Sequence, residues 1–256
     1  MKKTAKITPE YLENIFESKL FKKSLKECAD ITYQKGLESG FRISQNFNNN
    51  KFFLDNLSEG SCDHLGGIEQ FTDGKIKYSA LEDRKNKEDI FNSYNIIHLH
   101  FHPHATRTIF PSEADLFVIS SLLNETAERE KYEIRGLCGI ASVNKRKKVK
   151  LMLIQPKIKL DSFFVEELSD KLADFYHTHN KENQIVDILR ESGLNAAMIS
   201  YKPAKIGYQL NNKDRIKQFA FSPRYIGKYN PVDIIGKKKK AIEEFDEVLE
   251  IDRTYW

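Results

Sequence analysis

From Asn95 to Phe101 the chain reads Asn-Ile-Ile-His-Leu-His-Phe, and His102-Pro103-His104 follows directly. The β-branched and aromatic residues suit a buried strand, and Pro103 ends it because proline has no N–H to give to a ladder. Side chains alternate between the two faces of a strand, so His98, His100 and His102 are expected on one face, with Ile97, Leu99 and Phe101 on the other. Imidazoles spaced i, i+2 on a strand can hold one metal ion together. The fold must therefore bring a strand that is apolar on one face and metal-ligating on the other to the edge of a core.

The next segment supplies the missing ligand type. Pro111-Ser112-Glu113-Ala114-Asp115 opens a run with Leu116, Ile119, Leu122, Leu123 and Ala127 at helical spacing. Ser112 suits the N-cap and Asp115 the first turn. A strand end facing a helix N-terminus can bring two imidazoles and a carboxylate to one ion and leave a fourth position open, as in catalytic zinc sites. Standing alone, Ser112 and Asp115 would be read as a helix cap only. His98 is read as a core neighbour of the ligands, and His104 as an exposed loop residue.

The combination H-x-H-P, a loop, then P-S-x-x-D resembles the JAMM motif of the JAB/MPN metalloprotease family. That resemblance implies an α/β fold, an MPN (cytidine-deaminase-like) mixed sheet flanked by helices. It makes His100, His102 and Asp115 ligands of Zn2+ and gives Ser112 a share in stabilising the oxyanion. In the family an earlier glutamate after a helix is the general base and then acid. Glu38, in Gly36-Leu37-Glu38-Ser39-Gly40-Phe41, matches that position, with Glu59 and Glu69 as competitors. Nine residues separate His102 from Ser112, a loop longer than is usual for the family; closure entropy grows slowly with length, so such an insertion is tolerated. The resemblance spans roughly residues 20 to 155.

The expected function is zinc-dependent hydrolysis of a peptide or isopeptide bond in a protein substrate, with a ubiquitin-like conjugate as the substrate class the resemblance implies. The alternatives are another metal hydrolase such as a PHP-type phosphoesterase, which also uses a strand ending in H-x-H, and a noncatalytic MPN scaffold. A second H-x-H, His177-Thr178-His179, follows an amphipathic helix, where i, i+2 side chains diverge; these are read as surface or helix-end residues.

Composition agrees with a folded enzyme. The 256 residues are 40% hydrophobic and 30% charged, enough for a sizeable core. A formal charge of +4 is too mild to argue for nucleic acid, although basic residues cluster at Lys145 to Lys148 and Lys237 to Lys240. The first tract is read as a solvated hairpin turn. Cys28, Cys62 and Cys138 form no disulfide or zinc-ribbon pattern, which points to a reducing, cytoplasmic setting. The start lacks the apolar core of a signal peptide, and no apolar run is long enough to span a bilayer.

The remaining elements are expected in a mixed order. Helices are predicted from Pro9 to Ser18 and Phe21 to Gln34, then strands from Leu37 to Gln45 and Lys51 to Leu57 around an Asn-rich turn. A polar insertion follows from Gly60 to Ser93. Strands are predicted from Tyr132 to Val143 and Val149 to Ile154, and Pro156 reads as the boundary between a metalloprotease-like domain, 1–156, and a C-terminal α/β extension, 157–256. In the extension, helices are expected from Phe163 to Tyr176, Gln184 to Ser192 and Lys239 to Glu250, with a strand from Ala196 to Tyr201.

Overall fold

The computed structural model describes residues 7–46, 51–59, 93–103, 109–119, 132–133, 136–157, 162–178, 182–205, 207–220 and 224–225. The expected helix after Lys239, the insertion after Gly60, the second basic tract, Cys62, Glu69 and His104 lie outside the described residues.

Two short capped helices open the fold. Helix α1 (Pro9–Glu17) starts with the Thr8 hydroxyl accepting from the Tyr11 N–H at 3.2 Å and with Pro9 in its first turn. Ser18 then ends α1 and caps α2 (Lys19–Lys35), its hydroxyl accepting from the Phe21 N–H at 3.1 Å. Gly36 stops α2 at φ 67°, a left-handed conformation that glycine adopts without steric cost.

Seven strands form one mixed sheet in the order β2-β1-β3-β5-β6-β7-β8. They are β1 (Ser39–Asn46), β2 (Phe52–Glu59), β3 (Ser93–Phe101), β5 (Leu137–Val143), β6 (Val149–Pro156), β7 (Leu194–Pro203) and β8 (Tyr208–Asn211). Neighbours are antiparallel except β3 and β5, which run parallel. Helix α3, described over 113–119, lies in the connection between that parallel pair. Helices α4 (Ser162–Thr178) and α5 (Glu182–Glu191) follow β6.

Each face of the sheet is closed by its own apolar layer. On one face Leu12, Ile15 and Phe16 of α1 and Phe21, Leu25 and Cys28 of α2 pack with Leu99, Phe101, Leu151 and Tyr201. On the other, Leu116 and Ile119 of α3, Leu168 and Leu172 of α4, and Ile185 and Leu189 of α5 pack with Ile140, Met152, Ile154 and Met198. The result is a three-layer α/β/α arrangement.

Two expectations change. The run from Tyr132 to Val143 is not one strand: Tyr132–Glu133 forms β4 and pairs with β9 (Arg224–Tyr225) in a separate ribbon, while the main-sheet strand begins at Leu137. The polar Glu133, Arg135 and Gly136 interrupt the apolar pattern that a strand buried on both faces requires. Pro156, read as a boundary, is the last residue of β6, whose next partner β7 lies beyond it in sequence, so the sheet is continuous across that position. Among the described residues no helix is long and apolar enough to cross a membrane.

Candidate metal centre

The strand end and the helix start meet as their sequences require. Phe101, His100 and His98 pair with Ser39, Gly40 and Arg42 of β1, and His100 stands beside Ile140 of β5. One residue past the strand, the His102 N–H donates to the Ala141 carbonyl at 2.9 Å, which holds His102 to the sheet despite Pro103.

Asp115 is locked by a reciprocal cap. Its carboxylate Oδ2 accepts from the Ser112 N–H at 2.6 Å and from the Ser112 hydroxyl at 2.8 Å. In return the Asp115 N–H donates to Ser112 Oγ at 3.2 Å. A carboxylate so held has little rotamer freedom left to lose when it binds an ion.

Three ligand atoms converge. His100 Nε2 is 2.7 Å from Asp115 Oδ1 and 3.0 Å from His102 Nε2, and His102 Nε2 is 3.4 Å from Asp115 Oδ2. Ions with ligands at ~2.0–2.1 Å in tetrahedral geometry need ligand atoms about 3.3 Å apart; the contacts here, made to two different Asp115 oxygens, bracket that spacing. The three residues form a group able to hold a metal ion, the one such group among the described residues. His100 Nδ1 is buried without a hydrogen-bond partner. That orphan is unusual for a buried polar atom, and it leaves Nε2 as the ring nitrogen oriented by the site.

Electrostatics follow the same convergence. Burial opposes charge on His100, but the Asp115 carboxylate and its hydrogen bond, with help from Glu38, outweigh it and hold the histidine's pKa above its ordinary value. Burial would likewise raise Asp115, yet His100 and His102 hold its carboxyl well below the carboxylate range. A divalent cation would bind this anionic carboxylate and the two imidazoles in place of the proton that Asp115 favours on His100.

His98 behaves differently. Its Nδ1 accepts from Arg42 Nε at 3.2 Å, so its proton sits on Nε2. Burial first, then the neighbouring charges of His100 and Arg42, keep its pKa well below the usual value. It lies beside the ligands, with ring centroids 5.8 Å from His100, and outside the converging group.

Glu38 stands at the same end of the sheet. It directly precedes Ser39, the partner of Phe101, as His102 directly follows Phe101. Glu38 is half-buried, and its charge reaches His100. Gly40, the next residue on that face, pairs with His100. Glu59 pairs with Ser39 and is therefore out of phase with the row of Gly40 and His100; Glu69 lies outside the described residues.

Two contacts were not legible beforehand. Arg42 gave no signal because its partner depends on the register of β1 against β3. The other is a latch behind Glu38: the fully buried Ser39 hydroxyl donates to the Cys28 carbonyl at 2.8 Å. Thr32 Oγ1 lies 2.7 Å from Ser39 Oγ, and since the serine proton is committed, the threonine is the donor. The α2–β1 connection that carries Glu38 is thereby closed on both sides.

No protein-family model matches the chain, and no curated protein matches it significantly.

Proposed function

We propose that this chain is a zinc-dependent hydrolase of amide bonds, acting on a peptide or isopeptide bond as the JAMM-type metalloproteases it resembles do, on an MPN-like sheet. The observation that carries the reading is the convergence of His100 Nε2, His102 Nε2 and the Asp115 carboxylate at the sheet end that also presents Glu38. Zinc, when bound by these three, supplies Lewis acidity toward a carbonyl and lowers the pKa of a water.

The protein's own groups do the rest. Glu38 takes the proton of the attacking water and returns it to the leaving amine, a role worth roughly 100-fold to 10,000-fold. Ser112 sits at a helix N-terminus, where developing negative charge is stabilised. Its hydroxyl proton is directed at Asp115, so donation to an oxyanion requires that hydroxyl to turn. The substrate is a protein, with a ubiquitin-like conjugate as the class implied by the motif. Cys28 and Cys138 are free and buried, in keeping with a reducing, cytoplasmic setting. Burial pushes the Cys28 thiol up to about 12 and Cys138 well above its ordinary value, so neither is a nucleophile.

The test is elemental analysis and hydrolysis by the purified chain beside its Glu38→Gln variant. Near-stoichiometric zinc in both proteins, with chelator-sensitive amide cleavage in the wild type that falls about 100-fold or more in the variant, is the expected result. Cleavage of a phosphoester alone would overturn the assignment, and bound zinc without turnover of any substrate would favour a scaffold.

A further inference from the structure

The end of the sheet that carries the metal centre also carries two basic turns. β3 and β5 are parallel, so β5 runs out beside His102 and enters the β5–β6 turn with Lys145, Arg146, Lys147 and Lys148. β7 runs out at the same end, because Tyr201 pairs with Val149 at the start of β6. It leads through Lys202 into the β7–β8 turn with Lys205. The turns are tied together: the Tyr208 hydroxyl donates to the Lys147 carbonyl at 2.9 Å. At about 3.3 Å per residue, the β5–β6 turn begins on the order of 10 Å from the ligand cluster.

Hydrogen bonds brace the β5–β6 turn, and the charge of the described residues of both turns is largely uncompensated. Asn144 Oδ1 accepts from the N–H groups of Arg146 and Lys148, at 2.9 and 3.0 Å. Lys147 pairs with Asp30 of α2 at 3.0 Å. Lys145, Arg146, Lys202 and Lys205 are exposed and Lys148 half-buried, and none has a carboxylate partner among the described residues. The other described carboxylates at this end are Asp115 in the ligand group, Glu38 beside it and the exposed Glu113 at the start of α3, and none of them pairs with these cations.

We propose that these five cations form a docking rim for an acidic polypeptide segment of the substrate, next to the scissile bond. The proposal rests on the amide-hydrolase reading and narrows its substrate class. Lysines are mobile point charges that suit irregularly spaced Asp and Glu side chains. A one-signed rim beside a cleft raises the encounter rate of an oppositely charged substrate, and salt weakens it. A single-stranded nucleic acid would call for exposed aromatics among the cations. Among the described residues the exposed large apolar side chains, Tyr33, Phe117 and Phe163, lie on α2, α3 and α4 instead.

The experiment uses the zinc-loaded full chain and a variant carrying Lys145→Gln, Arg146→Gln, Lys148→Gln, Lys202→Gln and Lys205→Gln. Two isopeptide-linked peptides, identical but for a Glu/Asp-rich or a Gly/Ser flank, are compared for kcat/KM at low and high salt. The wild type should prefer the acidic flank by about ten-fold at low salt and lose that preference at high salt. The variant should lose it at all salt concentrations, with kcat and the neutral peptide unaffected. Fluorescence anisotropy with the labelled acidic peptide reads the rim without turnover. Absence of cleavage by the wild type, with rim-dependent peptide binding intact, would sink the hydrolase reading and leave the rim standing. Equal affinity of wild type and variant for the acidic peptide would overturn the rim itself. Tighter rim-dependent binding of an RNA oligomer of equal charge would reassign it to nucleic acid.

Discussion

The two faces of β3 differ in kind: one is apolar core and the other carries imidazoles. Ile97, Leu99 and Phe101 are fully buried against the layer of α1 and α2, in a core completed by edge-on aromatic contacts such as Phe21 against Phe41 at 5.2 Å. One residue out of phase, His98, His100 and His102 share the opposite face with Arg42 and Gly40 of β1. That face has an apolar cover over β5, β6 and β7, while its β1 and β3 portion is polar. The apolar side fixes where the strand lies, and the polar side carries the imidazoles. Burial energy and chemistry are separated onto alternate residues of one strand.

The sharpest way to break this comparison is to truncate on each side. Leu99→Ala should destabilise the fold by ~2–5 kcal/mol, the cost of a buried leucine and the cavity it leaves, with zinc still bound by whatever remains folded. His102→Ala should leave the metal-free protein nearly as stable as the wild type while abolishing zinc binding, so that zinc no longer raises its Tm. Paired denaturation curves with and without zinc decide the matter. A large stability loss in metal-free His102→Ala would show that the polar face is structural after all. His98→Ala should keep zinc, since Arg42 and not the ion is its partner.

An intermediate effect sharpens the link between the faces. Ser39 belongs to the apolar side in register yet directly follows Glu38, and its hydroxyl latches α2 to β1. Ser39→Ala removes buried hydrogen bonds and should cost about 1–3 kcal/mol, while lowering kcat more than it raises KM. Ser39→Thr should restore part of the rate. In a Glu38→Gln background Ser39→Ala should produce no further fall in kcat, because the serine acts through the glutamate. Additive losses would make it a stability residue only.

The smallest effect concerns the surface. Asp30, bonded to Lys26 and Lys147, has its pKa raised by burial but lowered more by those two lysines, for a net shift below 3.8. A depressed carboxylate stabilises the fold above its unfolded pKa, and that contribution is lost as pH falls through the lowered folded value. Asp30→Asn should therefore cost no more than about 0.5 kcal/mol at neutral pH, after allowing for screening of a largely exposed pair. The difference should vanish in strongly acid solution, as urea midpoints measured across that range would show.

Much of this was legible in one dimension. The alternation of His98, His100 and His102 with apolar residues, the cap signature Ser112-x-x-Asp115, and the helix stop at Gly36 are local signals, set by strand period, capping chemistry and the freedom of glycine. They suffice to predict a strand end, a helix start and the ligand types. Long-range facts were not so encoded. Which residue stands opposite His98, whether Glu38 or Glu59 lies in phase with His100, and where the sheet continues after Pro156 depend on register and strand order. A one-residue slip would turn every side chain of β1 to the other face. The tertiary structure alone brought α2, β1, β5 and the two basic turns to one end of the sheet, because parallel pairing of β3 with β5 sends both strands out on the same side.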